Sequence, residues 1–272
     1  MLRRHAIANL LAGAAWGMAA DRCLDGVHGA AVLIDRRTRR LIQSHAPARA
    51  ATLALPPGSA MKPLVLQTLW ERGLITASDR LPCPRELVIG GRSLRCSHPV
   101  LPGPVSVREA IAYSCNCFVA YFAARFRGDT LTRAMEQWGL ASRTGLLGDG
   151  EGAGRVWNAA VQLQALGEDG VVVTPASLAM AYWRLANRAQ EAVMAGLADA
   201  VEAGTAQHAQ VAGIKVWGKT GSARSAQGLY AAWFAGFTER AVIAAVVQGK
   251  SGGGDAAPVA ARVLAAHARG LA

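Results

Sequence analysis

Only four residues of this chain are lysine (Lys62, Lys215, Lys219 and Lys250), against 25 arginines. Two of the four stand in short motifs that use an amine able to lose its proton. Lys62 closes Ser59-Ala60-Met61-Lys62, Lys219 opens Lys219-Thr220-Gly221, and Ser114-Cys115-Asn116 lies between them. Arginine stays protonated in proteins whereas lysine can be deprotonated, so lysine kept at these places points to proton chemistry. A serine hydroxyl is a weak nucleophile until a base removes its proton. Ser59 and Lys62, three positions apart, share one face of a helix, and a lysine near another cation is pushed toward neutrality and can be that base. Ser59 at a helix start also directs free backbone N–H groups toward developing negative charge. Given 12 serines, chance supplies about 0.2 Ser-x-x-Lys matches, but all three motifs together fall near about 10⁻³. Their order implies acyl transfer through a serine.

The elements that must carry these residues are readable. Gly29 to Asp35 reads as a buried strand, Arg36 to Arg40 as a charged turn, and Leu41-Ile42-Gln43 as a return strand. Pro56-Pro57-Gly58 precede a helix from about Ser59 to Arg72, with Leu64, Val65 and Leu69 at helical spacing and a stop near Gly73. A second helix is expected from Ser106, where Glu109 completes a capping box, running up to or across the Ser114 motif. Leu131 to Gln137 is predicted helix, the glycine-rich stretch Gly145 to Gly154 loop, and Thr174-Pro175 the start of a helix to about Asn187. Further helix is expected over Gln190 to Ala203. Strands are then predicted at Gly213 to Trp217, Leu229 to Phe237 and Ala241 to Val247, with a closing helix over Pro258 to Arg269. Strands at both ends around a helical middle imply an α+β fold whose N- and C-terminal strands complete one antiparallel sheet.

Composition sets the frame. A chain of 272 residues that is 52% hydrophobic can bury a full core. The net charge of +11 comes from arginines spread from Arg3 to Arg269, and aromatics make up only 6%. Nucleic acid is therefore not an expected partner; an anionic envelope, acidic lipid or wall polymer, accounts for the charge equally well. Arg3, Arg4 and His5 precede an apolar stretch from Ala6 to Ala20, with small residues before Asp21, which reads as an export signal or short anchor over residues 1–20. Of the five cysteines, Cys83 and Cys96 flank a hairpin turning at Gly90-Gly91, and a disulfide between them would staple it after export. Cys115-x-Cys117 lacks the second cysteine pair of a zinc site and no His-Glu-x-x-His is present, so no metal and no cofactor are expected. Gly249-Lys250-Ser251-Gly252-Gly253 imitates a nucleophile elbow and half of a phosphate loop. It lacks the glycine a phosphate loop needs at position 244, and only Asp255 and His267 follow Ser251 where an elbow needs a downstream acid and histidine, so it reads as a glycine-rich turn.

The three motifs are the signature set of penicillin-binding proteins and class A β-lactamases. The chain resembles a penicillin-binding protein transpeptidase domain over about Gly29 to its C-terminus. The likeness includes Pro56-Pro57-Gly58-Ser59-Ala60-Met61-Lys62-Pro63, Ala110 to Asn116, Gly170 to Pro175, Gly204-Thr205-Ala206, Gly218 to Ala223 and Trp233 to Phe237. The resemblance implies a β-lactamase/transpeptidase-like fold for residues 24–272, with a helical lobe over about residues 60–205 and a cleft between lobe and sheet. It implies that Ser59 attacks a peptide ending in D-Ala-D-Ala, that Lys62 is the acylation base, that Ser114 relays a proton to the leaving amine, and that Asn116 holds the substrate amide and Lys62. Lys219 and Thr220 would bind the terminal carboxylate, Gly221 would let the strand approach the substrate, and the Ser59 and Ser222 N–H groups would form an oxyanion hole. Two departures, Ala60 where threonine is frequent and Arg224 where glutamine is common, bear on the acceptor rather than on acylation.

The expected partners are peptidoglycan stem peptides and β-lactams at the outer face of the cytoplasmic membrane or in the periplasm, with the membrane surface a further candidate. The competing activities on this fold are a D,D-carboxypeptidase, a β-lactamase and a β-lactam sensor that acylates and stops. A class A deacylation route needs a glutamate to activate water. Glu151 and Glu168 lie in the right stretch, neither in the glutamate-leucine-asparagine context of that family.

Overall fold

The computed structural model describes residues 23, 24 and 26–270, so the export segment expected over residues 1–20 lies outside the described residues. β1 (Gly29–Asp35) turns through Arg39 into β2 (Leu41–His45), and a short helix α1 (Pro47–Thr52), without an apolar period long enough to read from sequence, follows. A single 3₁₀ turn (Gly58–Met61) then runs into α2 (Lys62–Glu71). Pro63 suits the first turn of α2 because its missing N–H would be unpaired there. Gly73, in left-handed backbone (φ 66°), ends it with its N–H on the Trp70 carbonyl.

The expected hairpin forms from β3 (Glu86–Ile89) and β4 (Arg92–Arg95). Gly90 and Gly91 both take positive φ, which its two-residue turn requires. α3 (Val107–Ala112) carries the expected capping box, Ser106 N–H on Glu109 Oε2 at 2.8 Å and Glu109 N–H on Ser106 Oγ at 3.3 Å. It stops before the Ser114 motif, and α4 (Asn116–Ala123) starts afresh beyond it. α5 (Thr130–Gln137), β5 (Arg155–Val156), α6 (Val161–Ala165) and β6 (Val171–Val172) lead to α7 (Pro175–Ala186), capped by Thr174, and α8 (Glu191–Glu202).

The chain returns through β7 (Trp217–Arg224), β8 (Tyr230–Phe237) and β9 (Ala241–Gln248) to α9 (Ala257–Ala268). One antiparallel sheet results, in the order β2-β1-β9-β8-β7, with β1 registered against β9 from Gly29↔Val247 to Asp35↔Ala241. The strand expected at residues 213–217 is corrected to Trp217–Arg224. Gly213 (φ 74°) sits in a tight turn closed by the Val211–Ile214 bridge, so the chain can pair with β8 only from Trp217 onward.

Helices cover both faces of the sheet, which is why β8 and β9 are apolar almost without interruption. Leu33, Phe234 and Ile243 pack with Val259 and Val263 of α9 on one face. Val32, Trp233 and Val246 pack on the other with Leu64, Phe118 and Tyr182 of the helical region. Among the described residues no helix is long and apolar enough to cross a membrane. Phe234 is fully buried, faces Thr220 across the β7–β8 ladder, and its ring fills the space a Cβ on Gly218 would need. Phe234→Ala is expected to cost about 3–5 kcal/mol, read as a lower urea midpoint. A loss below about 1 kcal/mol would contradict this placement in the core.

Candidate active site

The Ser59 turn is held by backbone contacts that only glycine permits. A Cβ on Gly58 (φ 54°) would fall on the Ser222 carbonyl oxygen and lie 3.1 Å from the Ser222 nitrogen. A Cβ on Gly221 would meet the Pro57 carbonyl oxygen, and one on Gly167 the Gly58 carbonyl oxygen. The third motif on β7 is thus pressed against the segment that carries Ser59, main chain to main chain. Two buried side chains brace that segment from behind. The Tyr182 hydroxyl donates to the Ala60 carbonyl at 2.8 Å and Trp233 Nε1 to the Pro56 carbonyl at 2.9 Å. Neither was singled out for this work from sequence, because each is an ordinary core aromatic until the turn is folded over it. The glycine-rich turn after β9 adds a third support: the Gly252 N–H donates to Ser222 Oγ at 2.9 Å.

Lys62, fully buried, points its amine into the second motif. Its Nζ lies 2.6 Å from Asn116 Oδ1, 2.7 Å from the Ser114 carbonyl and 3.1 Å from Ser114 Oγ. Three acceptors match the three donors of an ammonium, and the Ser114 hydroxyl can equally donate to a neutral amine. Burial pushes the Lys62 amine down to about 8. Ser114 reaches it from left-handed backbone (φ 61°), a conformation that costs a non-glycine residue on the order of 1–3 kcal/mol. This breaks the helix that sequence left free to run across the motif. Asn116 is fixed by its Nδ2 donating to the Arg95 carbonyl at 2.9 Å.

Lys219, also fully buried, has its Nζ 3.0 Å from the Thr220 carbonyl and 3.3 Å from Thr205 Oγ1, and Thr220 Oγ1 donates to Thr205 Oγ1 at 3.0 Å. Burial, and then the charge of Lys62, hold the Lys219 amine well below the usual lysine range. The two lysine clusters are therefore neighbours. Thr205 joins the site although sequence placed Gly204-Thr205-Ala206 only as the approach to the third motif. A Cβ on Gly204 would strike the Ala112 carbonyl oxygen, and the Thr205 N–H bonds that same oxygen at 3.1 Å, which ties this approach to the second motif.

The two glutamates weighed for water activation each have partners, and only Glu168 lies close enough to act on Lys62. Glu151 is buried and accepts from the N–H groups of Thr144 and Leu147, organising the glycine-rich loop. Glu168 pairs with Arg92 at 3.0 Å. The disulfide expected between Cys83 and Cys96 is not formed: both are free thiols. Arg85, just before the hairpin, takes left-handed backbone (φ 70°), and its carbonyl accepts from the Cys96 N–H at 2.7 Å. Cys83 and Cys96 each instead approach Cys115, at 3.5 and 3.8 Å.

A family model described as penicillin binding protein transpeptidase domain matches residues 29–265. Among solved structures, Pseudomonas aeruginosa PBP2 in complex with WCK 5153 is similar with a TM-score of 0.78 and 22% identity, over 93% of this chain and 74% of that one. A peptidoglycan glycosyltransferase from Burkholderia ambifaria is similar with a TM-score of 0.79 and 23% identity, over 96% and 95%. At such identities the likeness is one of fold. No curated protein sequence matches the chain.

The glycine contacts make a test. Gly221→Ala forces β7 away from the Ser59 turn and is expected to cost about 1–3 kcal/mol, a melting point lower by about 2–4 °C per kcal/mol. An unchanged melting point would contradict the close approach.

Proposed function

This chain belongs to the penicillin-binding protein transpeptidase domain family, and we propose that it is a serine D,D-transpeptidase acting on peptidoglycan stem peptides that end in D-Ala-D-Ala, in the exported compartment. The observation that carries the reading is the bonding of Lys62 Nζ to Ser114 and Asn116, which joins the first two motifs through a buried amine. In this reading Ser59 Oγ attacks the penultimate D-Ala carbonyl while neutral Lys62 accepts its proton. The N–H groups of Ser59 and Ser222 receive the oxyanion, a contribution of about 3–4 kcal/mol per donor in comparable sites. Ser114 passes a proton from Lys62 to the leaving amine, so D-alanine departs and an acyl-enzyme remains. Lys219 and Thr220, with Thr205 behind them, bind the terminal carboxylate, whose negative charge favours the protonated form of the buried Lys219 amine. An amine of a second stem peptide then takes the acyl group and forms the cross-link. The engagement of the buried Glu151 by backbone N–H groups favours slow hydrolysis over a β-lactamase's fast turnover.

Fluorescent penicillin is expected to label the purified protein covalently and Ser59→Ala to abolish labelling; a labelled mutant would remove Ser59 as the nucleophile. Cross-linked product from stem pentapeptides separates the transpeptidase from a carboxypeptidase, which releases D-alanine alone, and from a sensor, which stops at the acyl-enzyme. The acylation rate should rise about tenfold per pH unit while Lys62 is mostly protonated, then level above about 8. Lys62→Arg, which cannot lose its proton, should lower the rate by about 10²–10⁴. A profile flat from about pH 6 to pH 8 would contradict a lysine base.

A further inference from the structure

Three segments separate in sequence bring four metal-binding side chains together behind the second motif. Cys83 precedes the β3–β4 hairpin, Cys96 and His98 follow it, and Cys115 stands between Ser114 and Asn116. Their donor atoms all lie within 4.8 Å of one another, and three of the four side chains are buried. Sulfur separations are 3.5 Å for Cys83–Cys115 and 3.8 Å for Cys96–Cys115, and His98 Nε2 is 3.5 Å from Cys83 Sγ. A tetrahedral zinc with Zn–S of about 2.3 Å and Zn–N of about 2.0–2.1 Å spaces its ligands by about 3.8 Å between sulfurs and about 3.6 Å from sulfur to nitrogen. The observed spacings match.

The surroundings suit a metal. His98 Nδ1 lies 2.7 Å from the Pro99 carbonyl. A carbonyl only accepts, so Nδ1 carries the proton and Nε2 turns its lone pair toward the sulfurs, the usual arrangement behind a metal-bound imidazole. The Asn116 N–H donates to Cys96 Sγ at 3.2 Å and the Phe118 N–H to Cys115 Sγ at 3.4 Å. Both bonds favour thiolate. The Arg85 guanidinium, through Nη2 on the Cys96 carbonyl at 3.3 Å, offsets the single negative charge of a Cys₃His zinc centre.

We propose that Cys83, Cys96, His98 and Cys115 bind one Zn²⁺ in a closed structural site whose purpose is to hold the second motif in place. On binding, the three thiols give up their protons to solvent and the ion takes four protein ligands, leaving no position for substrate. One ligand is Cys115 itself. Another, Cys96, carries the Asn116 N–H, and Asn116 Nδ2 bonds the Arg95 carbonyl beside it. The metal therefore clamps the hairpin onto the loop that presents Ser114 and Asn116 to Lys62. Sequence inspection missed the site because its ligands fall in no paired Cys-x-x-Cys; folding the hairpin back across the second motif creates the set. The clamp's link to acylation rests on the function proposed above, whereas metal binding does not.

The test uses the full chain, purified reduced and dialysed against metal-free buffer. Elemental analysis is expected to find about one zinc per chain, and Co²⁺ exchange to give the thiolate charge-transfer and d–d absorption of a tetrahedral sulfur-rich site. Cys83→Ser and His98→Ala should each weaken metal binding at least about tenfold. Cys117→Ser, a neighbour of Cys96 at 3.5 Å outside the four, should retain the metal and guards against loss through misfolding. Chelation should slow penicillin labelling at least about tenfold, with recovery on adding Zn²⁺. Substoichiometric zinc with five titratable thiols, octahedral cobalt spectra, or, in a parallel preparation made without reductant, a mass lowered by disulfide formation would each overturn the site. Unchanged labelling after full zinc removal would overturn the clamp. A zinc-loaded protein that penicillin never labels would instead leave the site standing and count against the transpeptidase reading.

Discussion

The burial of the Lys62 amine is the constraint on which the rest of the structure turns. A lysine removed from water strongly disfavours its charged form, and the drop to about 8 corresponds to on the order of 3 kcal/mol. The fold can tolerate it only by surrounding Nζ with partners, and all three come from one short loop: the Ser114 carbonyl, Ser114 Oγ and Asn116 Oδ1. That loop cannot be helix, because the carbonyl and the hydroxyl of Ser114 must both face the same atom. The left-handed Ser114 backbone and the two-helix break around it follow from this requirement. So does the support behind the loop, where Asn116 is tied to the Arg95 carbonyl and Cys115 is packed among the other sulfurs.

The second requirement is that strand β7 come close enough for its main chain to share the Ser59 turn. Side chains would keep the two apart, so Gly58 and Gly221 stand at the crossing points. The sheet makes the approach rigid. β7 is an edge strand on its far side, but β8 and β9 behind it are buried on both faces and locked to β1. Residues near the start of the described chain therefore help to position Lys219 and Thr220 near its end.

Much of this was legible in sequence, and the parts that were not share a cause. The capping residues Ser106 and Thr174, the Gly90-Gly91 turn and the apolar runs of β1, β8 and β9 announce themselves locally, and each was placed to within a few residues. The motif residues were legible because lysine is so rare here that its placement carries information. What escaped depended on tertiary pairing. Lys219-Thr220-Gly221 has little strand propensity and becomes strand because β8 lies alongside it in register. Thr205, Tyr182 and Trp233 acquire roles at the site only when distant segments fold over them. The cysteines misled for the same reason, since hairpin symmetry suggested a Cys83–Cys96 bond while both thiols turn toward Cys115.

With four lysines in the chain, the ionisation of the central amine can be watched directly. Lysine labelled with carbon-13 at Cε gives one resonance per side chain, and assignment by Lys62→Arg isolates the one that matters. The account predicts a Lys62 signal that titrates near about 8 and moves when penicillin acylates Ser59. A Lys62 signal titrating like an ordinary exposed lysine, near about 10.4, and indifferent to penicillin would contradict it.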